Sequence, residues 1–365
     1  MGAVTPVPVR LGRPGRSGAA AHVAGSPPEN PPAPGMPLRG PLVDSFGRVH
    51  TDLRISVTDR CNLRCVYCMP EDGMKFLPPD RLLGFEEIAR VARVARSLGV
   101  TSVRITGGEP LVRRGVVDLV ARLAGIGFED IALTTNGTGL GRLAAPLARA
   151  GLRRVNVSCD SLREERFARI RRRGDLRQVL ESMDAAEESG LAPLKVNVVL
   201  VAGVNDDEVL DFAGFARNTG RIVRFIEYMP LDADASWRRD QVVPADLVLS
   251  RIGERWPVAP LDQGGDPAPA TRYRFLDGSG EIGVVASVTR PFCGSCNRLR
   301  LTAEGSIRNC LFSDDELSVR QVLERGEDEA LALLLRRAVW GKRAGHGMDQ
   351  PGFVRPSRSM SMIGG

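Results

Sequence analysis

Three cysteines stand within eight residues, Cys61-Asn-Leu-Arg-Cys65-Val-Tyr-Cys68, directly after the run LRISV. Three soft thiolates this close favour a thiophilic metal or an iron–sulfur cluster. A structural zinc site takes four protein ligands, commonly as two separated pairs, and no histidine follows Cys68 at a suitable distance. Zinc or bare structural thiols therefore stand as the lesser alternative. Three thiolates would leave one iron of a four-iron cluster open to an outside ligand. A second set is Cys293-Gly-Ser-Cys296, joined fourteen residues later by Cys310. A CxxC pair alone is compatible with a redox couple or half a zinc ribbon, but a third cysteine without a fourth repeats the arithmetic of the first set and favours a second open cluster. Cys159 ends an apolar run and reads as a small buried hydrophobe. Seven cysteines, odd in number and clustered, are not a disulfide framework.

Polar groups follow several apolar runs. Thr106-Gly107-Gly108-Glu109-Pro110 comes after VRI, and its paired glycines would let backbone approach a ligand while Glu109 presents a carboxylate. Thr134-Thr135-Asn136-Gly137, Ser158-Cys159-Asp160 and Glu227-Tyr228-Met229-Pro230 occupy similar places. Each alone could be a turn, but on parallel strands they would meet at one mouth. Only three of the 50 basic residues are lysine. Lys195 opens an apolar run where arginine is the habitual choice, so it is either a compact charge suited to phosphate or a strand-edge cation. Arg298 and Arg300 alternate along a strand after Cys296 and share one face. Arg171-Arg172-Arg173 falls in a bend between helices and reads as a solvated charge run.

The elements that must position these groups alternate. From Leu53 onward, six short β-branched runs alternate with helical patterns, which predicts a parallel sheet covered by helices and curling toward a barrel. The apolar strands fit a sheet buried on both faces, and chemistry on such a sheet gathers at the carboxyl ends of the strands. After about residue 230 a loop-rich stretch, two strands (TRYRFL and EIGVVASV) and a helical run near 316–340 read as an appended subdomain. Residues 1–41 hold ten prolines and seven glycines and read as an extension without fixed structure. The boundaries expected are thus 1–41, 42–230, 231–344 and a tail at 345–365. With 43% hydrophobic residues over 365 positions, a structureless peptide is excluded. No run approaches the roughly 20 apolar residues of a membrane span, and no leader pattern opens the chain, so a cytoplasmic protein without a membrane partner is expected. A net charge of +6 permits a nucleic-acid partner without implying one.

The CxxxCxxC run with an aromatic before its last cysteine, followed by GGEP, resembles the radical S-adenosylmethionine superfamily. The second triplet in CGSCNRLRLT, Cys310 and the terminal Gly364-Gly365 narrow the resemblance to the GTP 3′,8-cyclases of molybdenum-cofactor biosynthesis, over about Leu53 to Gly365. It implies an incomplete (β/α)6 TIM-type barrel with a C-terminal subdomain, an α/β fold. It further implies two [4Fe-4S] clusters, S-adenosylmethionine, and conversion of GTP to 3′,8-cyclo-7,8-dihydro-GTP by a 5′-deoxyadenosyl radical that takes hydrogen from C3′. Cys61, Cys65 and Cys68 would hold the first cluster, and Cys293, Cys296 and Cys310 the second. Tyr67, through its backbone, with Gly108, Glu109, Ser158 and Met229, would hold S-adenosylmethionine. Arg54, Arg104, Thr134, Lys195 and Arg298-Leu299-Arg300 would contact GTP, and Arg298, Arg300, Gly364 and Gly365 would act in catalysis. The segment with Arg355 and Arg358 resembles the family's tail and would reach into the active site, whereas without that resemblance it reads as a frayed terminus. The implied partners are an electron donor and a downstream cyclic pyranopterin monophosphate synthase; a homodimer is left open.

Two other readings are weighed. A peptide-modifying radical enzyme with an auxiliary cluster usually carries more cysteines in its appended region. A zinc-stabilised nucleic-acid-binding protein predicts aromatic-rich basic surfaces, which 5% aromatic residues disfavour.

Overall fold

The structure is a computed structural model that describes residues 32–365 except Gly73, Gln263, Asp266 and Gly365. Six strands run in parallel and in sequence order: β1 (Asp52–Ser56), β2 (Ser102–Thr106), β3 (Asp130–Thr135), β4 (Arg154–Ser158), β5 (Lys195–Leu200) and β6 (Ile222–Glu227). Between them lie α1 (Phe85–Ser97), α2 (Val116–Ile126), α3 (Leu140–Arg149), the pair α4 (Glu164–Arg171) and α5 (Leu176–Glu188), and α6 (Val209–Thr219). This is the alternation read from the sequence. In α1, Ile88, Val91, Ala92 and Ala95 fall at helical spacing and are all buried, which fixes that helix against the sheet.

The strands are not buried alike on both faces. Leu53 and Ile55, Val103 and Ile105, Ile131 and Leu133, Val155 and Val157, Val196 and Val198, and Val223 and Phe225 point outward into one apolar core under the helices. The alternate positions, Arg54, Arg104, Thr134, Asn156, Asn197 and Arg224, face inward. The strict period of two in a strand separates an apolar outer face from a polar inner one. The expectation of two apolar faces is thereby corrected.

The six strands form a partial barrel that does not close. β1 pairs in parallel with β10 (Arg298–Leu301), and β6 pairs in parallel with β9 (Glu281–Val285). Before these come α7 (Ala245–Arg255), β7 (Val258–Pro260) and β8 (Thr271–Phe275); after β10 come β11 (Ser306–Arg308), β12 (Glu316–Ser318), α8 (Arg320–Arg325), α9 (Asp328–Trp340) and α10 (Met360–Ile363). The C-terminal strands thus extend one twelve-stranded sheet at both edges. Glu316–Ser318, expected as the start of a helix, pairs antiparallel with β11, where Leu317 lies opposite Ile307 and Arg308 reaches Glu316.

Residues 33–41 were expected to lack fixed structure. Instead Met36 is buried, and Arg336 of α9 donates to Gly40 O at 2.6 Å and to Pro41 O at 3.2 Å, satisfying two carbonyls that composition alone leaves unaccounted for. Residues 1–31 lie outside the described residues. No helix among those described is long and apolar enough to cross a membrane.

Candidate functional site

The inner face of the partial barrel and the loops at the carboxyl ends of its strands enclose a cavity of about 310 Å³. All four rim motifs reach it: Thr106 to Glu109, Thr134 to Asn136, Ser158 with Asp160, and Glu227 to Met229. Both cysteine triplets line this same cavity, so the chain brings Cys61, Cys65 and Cys68 from the loop after β1 to face Cys293, Cys296 and Cys310.

The loop after β1 is held from two sides. Gly107 and Gly108 pass so close to it that a Cβ on Gly108 would lie 2.5 Å from Arg60 O and 2.6 Å from Asp59 O; Gly108 N donates to Thr58 O at 2.6 Å. The paired glycines therefore serve close approach of chain to chain, a requirement distinct from the ligand approach expected for them. On the other side, Arg64 N and Val66 N donate to Arg171 O and Ile170 O at the end of α4. Tyr67 OH donates to Asp160 Oδ2 at 2.7 Å, and Arg171 Nη2 lies 2.8 Å from the same oxygen.

Arg171 is 2% exposed, so the solvated reading of the 171–173 run is overturned at its first residue. The bend between α4 and α5 does occur there, with Arg172 at φ +58°. The buried Asp160 carboxylate requires a cation, and the last turn of α4 supplies one. Arg171→Ala would leave Asp160 buried and unpaired, and it is expected to cost about 3–5 kcal/mol of stability, measured by denaturant unfolding.

Burial pushes the Cys61 thiol up to about 11 and raises those of Cys65 and Cys68. Buried thiols without a cation stay protonated, whereas a thiophilic metal draws them out as thiolates. Among the described residues no His, Cys, Asp and Glu group closes on a point as a single-ion ligand set. Three thiols spread over one cavity wall fit a multi-iron cluster, whose corners take one thiolate each. Beside them Glu109, 1% exposed, accepts from Thr135 Oγ1 at 2.7 Å, Asn136 N at 2.6 Å and Leu111 N at 3.0 Å. Burial outweighs these bonds and pushes its carboxyl up to about 7.

In the second triplet Cys296 behaves differently. Burial would raise its thiol, but the charges of Arg298 and Lys342 hold it down to about 6. Lys342 was not singled out in the sequence; being one of three lysines was its only signal.

The same cavity is lined by a set of cations. The register sets Arg300, Arg54 and Arg104 in one row across β10, β1 and β2, with Arg298 beside Asp52 two residues earlier. Arg54 and Arg300 are buried, and the Nε atoms of Arg54 and Arg104 have no hydrogen-bond partner. Burial first, then the neighbouring guanidiniums, depress Arg54 and take Arg300 to about 10. Like charges opposed on neighbouring strands are unfavourable, and Asp52, 3.5 Å from Arg54 Nε, answers only part of the charge. Arg224 adds a further buried guanidinium, bonded to the neutral Asn197 and Asn156 at 2.9 and 2.7 Å. It too escaped the sequence reading, because an arginine inside RIVRFIEYM looks like any strand-edge cation.

Tyr67, Ser158, Met229 and Thr134 reach the cavity as expected from the resemblance. Three expected residues, Leu299, Lys195 and Gly364, do not line it. Leu299 packs outward in the core, since strand alternation turns it away from its two arginine neighbours. Lys195 sits on the inner face at the start of β5, at the opposite end from the rim. From the tail, Met360 and Ser361 line the cavity and Arg300 Nη1 donates to Gly364 O. Gly365 lies outside the described residues. Arg355 pairs with Asp232, and Arg358 bridges Glu304 and Glu316, which anchors the approach to α10.

A partial βα barrel with a three-thiol loop after its first strand and GGEP after its second defines a radical S-adenosylmethionine enzyme. The Radical SAM superfamily profile matches residues 55–216, and the Molybdenum Cofactor Synthesis C profile matches residues 221–348. Two solved structures share the fold at low identity. Streptococcus suis SuiB bound to S-adenosylmethionine has a TM-score of 0.56 at 13% identity, covering 83% of this chain and 66% of that one; anSMEcpe with bound AdoMet has 0.51 at 14%, covering 73% and 77%. Relatives named GTP 3′,8-cyclase are far nearer in sequence. That of Mycobacterium sp. (strain KMS) is 47% identical, covering 92% of this chain and 96% of the relative; that of Streptomyces coelicolor is 49% identical, covering 89% and 96%. The chain belongs to the GTP 3′,8-cyclase family. Membership implies S-adenosylmethionine and a [4Fe-4S] cluster as cofactors, and the Cys61, Cys65 and Cys68 set is chemically suited to that cluster.

Proposed function

We propose that this chain converts GTP to 3′,8-cyclo-7,8-dihydro-GTP in the first step of molybdenum-cofactor formation, with a second [4Fe-4S] cluster on Cys293, Cys296 and Cys310 beside the substrate. The observation that supports it most is the inward-facing row of Arg300, Arg54 and Arg104, whose only partly answered charge and the unpartnered Nε atoms of Arg54 and Arg104 call for a polyanion in the cavity that both triplets line. A triphosphate supplies several negative charges and many acceptor oxygens. The relatives' name suggests the nucleotide, and with domain limits at 42–230 and 231–344 one cluster would fall in each part.

Cys61, Cys65 and Cys68 would hold the first cluster, which with S-adenosylmethionine would supply the radical chemistry that removes hydrogen from C3′ of GTP. The chain's own residues do the rest by binding and orientation. Tyr67, Gly108, Glu109, Ser158 and Met229 hold S-adenosylmethionine at the rim. Arg54, Arg104, Arg224, Arg298 and Arg300 grip the phosphates, and Thr134 stands beside them with its Oγ1 accepting from Asn156 Nδ2 at 3.3 Å. Fixing the ribose and the purine orders two atoms of one nucleotide for bond formation, and holding GTP and S-adenosylmethionine in one cavity would make the hydrogen transfer between them effectively intramolecular, an advantage of about 7–11 kcal/mol when alignment is good. The partners proposed are an electron donor and a pyranopterin-forming synthase that consumes the product.

The test is product analysis with anaerobically reconstituted protein, GTP, S-adenosylmethionine and dithionite. The expected result is the cyclic nucleotide and about eight irons per chain. Iron near four with 5′-deoxyadenosine but no nucleotide product would refute the two-cluster reading.

A pH dependence follows from Lys195. Burial, then Arg224, Arg154 and Arg104, push its ammonium down to about 7. Lys195 lies outside the cavity lining but feels the charges of Arg224 and Arg104, which do line it; a polyanion that offsets those charges raises the Lys195 pKa, so binding takes up a proton above that pH and affinity falls as pH rises. KM for GTP is expected to climb from pH 7 to 9 in the parent and less steeply in Lys195→Arg, which stays charged throughout.

A further inference from the structure

Lys342 follows α9 by two residues and is only 4% exposed. Its Nζ lies 3.1 Å from Cys296 Sγ and 2.8 Å from Arg298 O. Arg298 Nε approaches the same sulfur at 3.2 Å, with its guanidinium 4.6 Å over the Phe292 ring. Cys296 therefore carries two cationic donors, while Cys293 and Cys310 are met by the backbone N–H groups of His346 and Phe312. A lysine buried only for packing would be expected to meet a carboxylate, and among the described residues Lys342 forms no ion pair. Its position is fixed by the frame around α9, where Asn309 Nδ2 donates to Ala338 O at 2.8 Å and Arg336 is bonded to the 40–41 carbonyls.

We propose that Lys342 sets the reduction potential of the second cluster, by giving the Cys296 ligand an N–H···S hydrogen bond and a fixed positive charge. This rests on the two-cluster reading above. Hydrogen bonds to ligand sulfur and net local charge are the protein's main levers on the potential of an iron–sulfur cluster. Reduction adds one negative charge, so a buried cation at 3.1 Å stabilises the reduced state and makes the cluster easier to reduce. The choice of lysine is intelligible sterically. Arg298 already occupies the ring face of Phe292, and the remaining approach to the sulfur suits a compact ammonium better than a second planar fork. Lys342 is a tuning residue: it acts through Cys296 and lies outside the set that lines the cavity.

The experiment is a redox titration of the full-length, reconstituted protein followed by EPR, reading each cluster's midpoint separately, for the parent, Lys342→Met, Lys342→Gln and Lys342→Arg. In whichever of the methionine and glutamine variants retains its iron, the reduced-to-oxidised ratio of the second cluster at a fixed solution potential should fall about tenfold, 59 mV for one electron. The first cluster should not move, and Lys342→Arg should restore part of the loss. A second-cluster midpoint unchanged in iron-replete variants would overturn the role of Lys342 alone. A parent protein that binds only about four irons would overturn the two-cluster reading and this inference with it.

Discussion

Cys310→Ser is expected to abolish conversion of GTP while reductive cleavage of S-adenosylmethionine continues. Cys310 sits just after β11 and lines the cavity opposite the first triplet, with Phe312 N donating to its sulfur at 3.5 Å. Serine matches the thiol in shape and accepts the same bond, so the fold should survive. A neutral hydroxyl is a poor iron ligand where a thiolate is required, and iron should drop from about eight to about four per chain. The loop carrying Cys61, Cys65 and Cys68 is held by Arg171, Ile170 and the glycines after β2, away from β11 in the chain, so 5′-deoxyadenosine should still be released. Cyclisation should fall by at least about 10³-fold, because under the proposed function the second triplet would orient the purine and alignment supplies much of the rate. Cyclic nucleotide formed at the parental rate would show that this triplet is not part of the substrate site.

Gly364→Val should lower turnover by about 10²-fold with both clusters in place, the usual order for a displacement of about 1 Å near the reacting atoms. Gly364 has φ +76° and ψ 107°, a region open to glycine and costly to a β-branched residue. A Cβ there would lie 3.0 Å from Ser56 Cβ and closer still to Thr106 Oγ1. Valine must therefore leave the slot between the ends of β1 and β2, which releases Arg300 from the Gly364 carbonyl. Unfolding transitions and iron content should match the parent, while kcat falls. Parental turnover would reduce the tail contact to a resting position of the chain end.

Much of this was legible in the sequence because it is local. The βα order follows from periodicity, and the two triplets and the rim motifs follow from spacing over a few residues. What escaped depends on pairing between distant segments. The three arginines of β10, β1 and β2 lie in separate stretches, and only the register shows them as one row. Arg171 resembled its exposed neighbours until Asp160 was seen beside it. Lys342 meets Cys296 across 46 residues. β12 was hidden because three residues carry too little pattern to distinguish a short edge strand from a helix start. The inner strand face was misjudged because Arg54, Asn156, Asn197 and Arg224 are polar positions inside apolar runs, and a run rich in Val and Ile reads as buried on both sides.

The parallel pairing of β1 with β10 also bears on how the molecule is made. Asn297 bonds to Thr51 across 246 residues of chain, so this edge closes only after nearly all of the sheet exists. Non-local strand pairing of this kind is slow, and during synthesis β1 would wait with a row of unpaired amides facing outward, a template for association with other chains. Truncation before Arg298 should therefore yield a protein that aggregates through its first strand, and chaperone dependence should be greater for this chain than its compact helices alone would suggest. The same delay means that the arginine row takes shape only once the last strands dock.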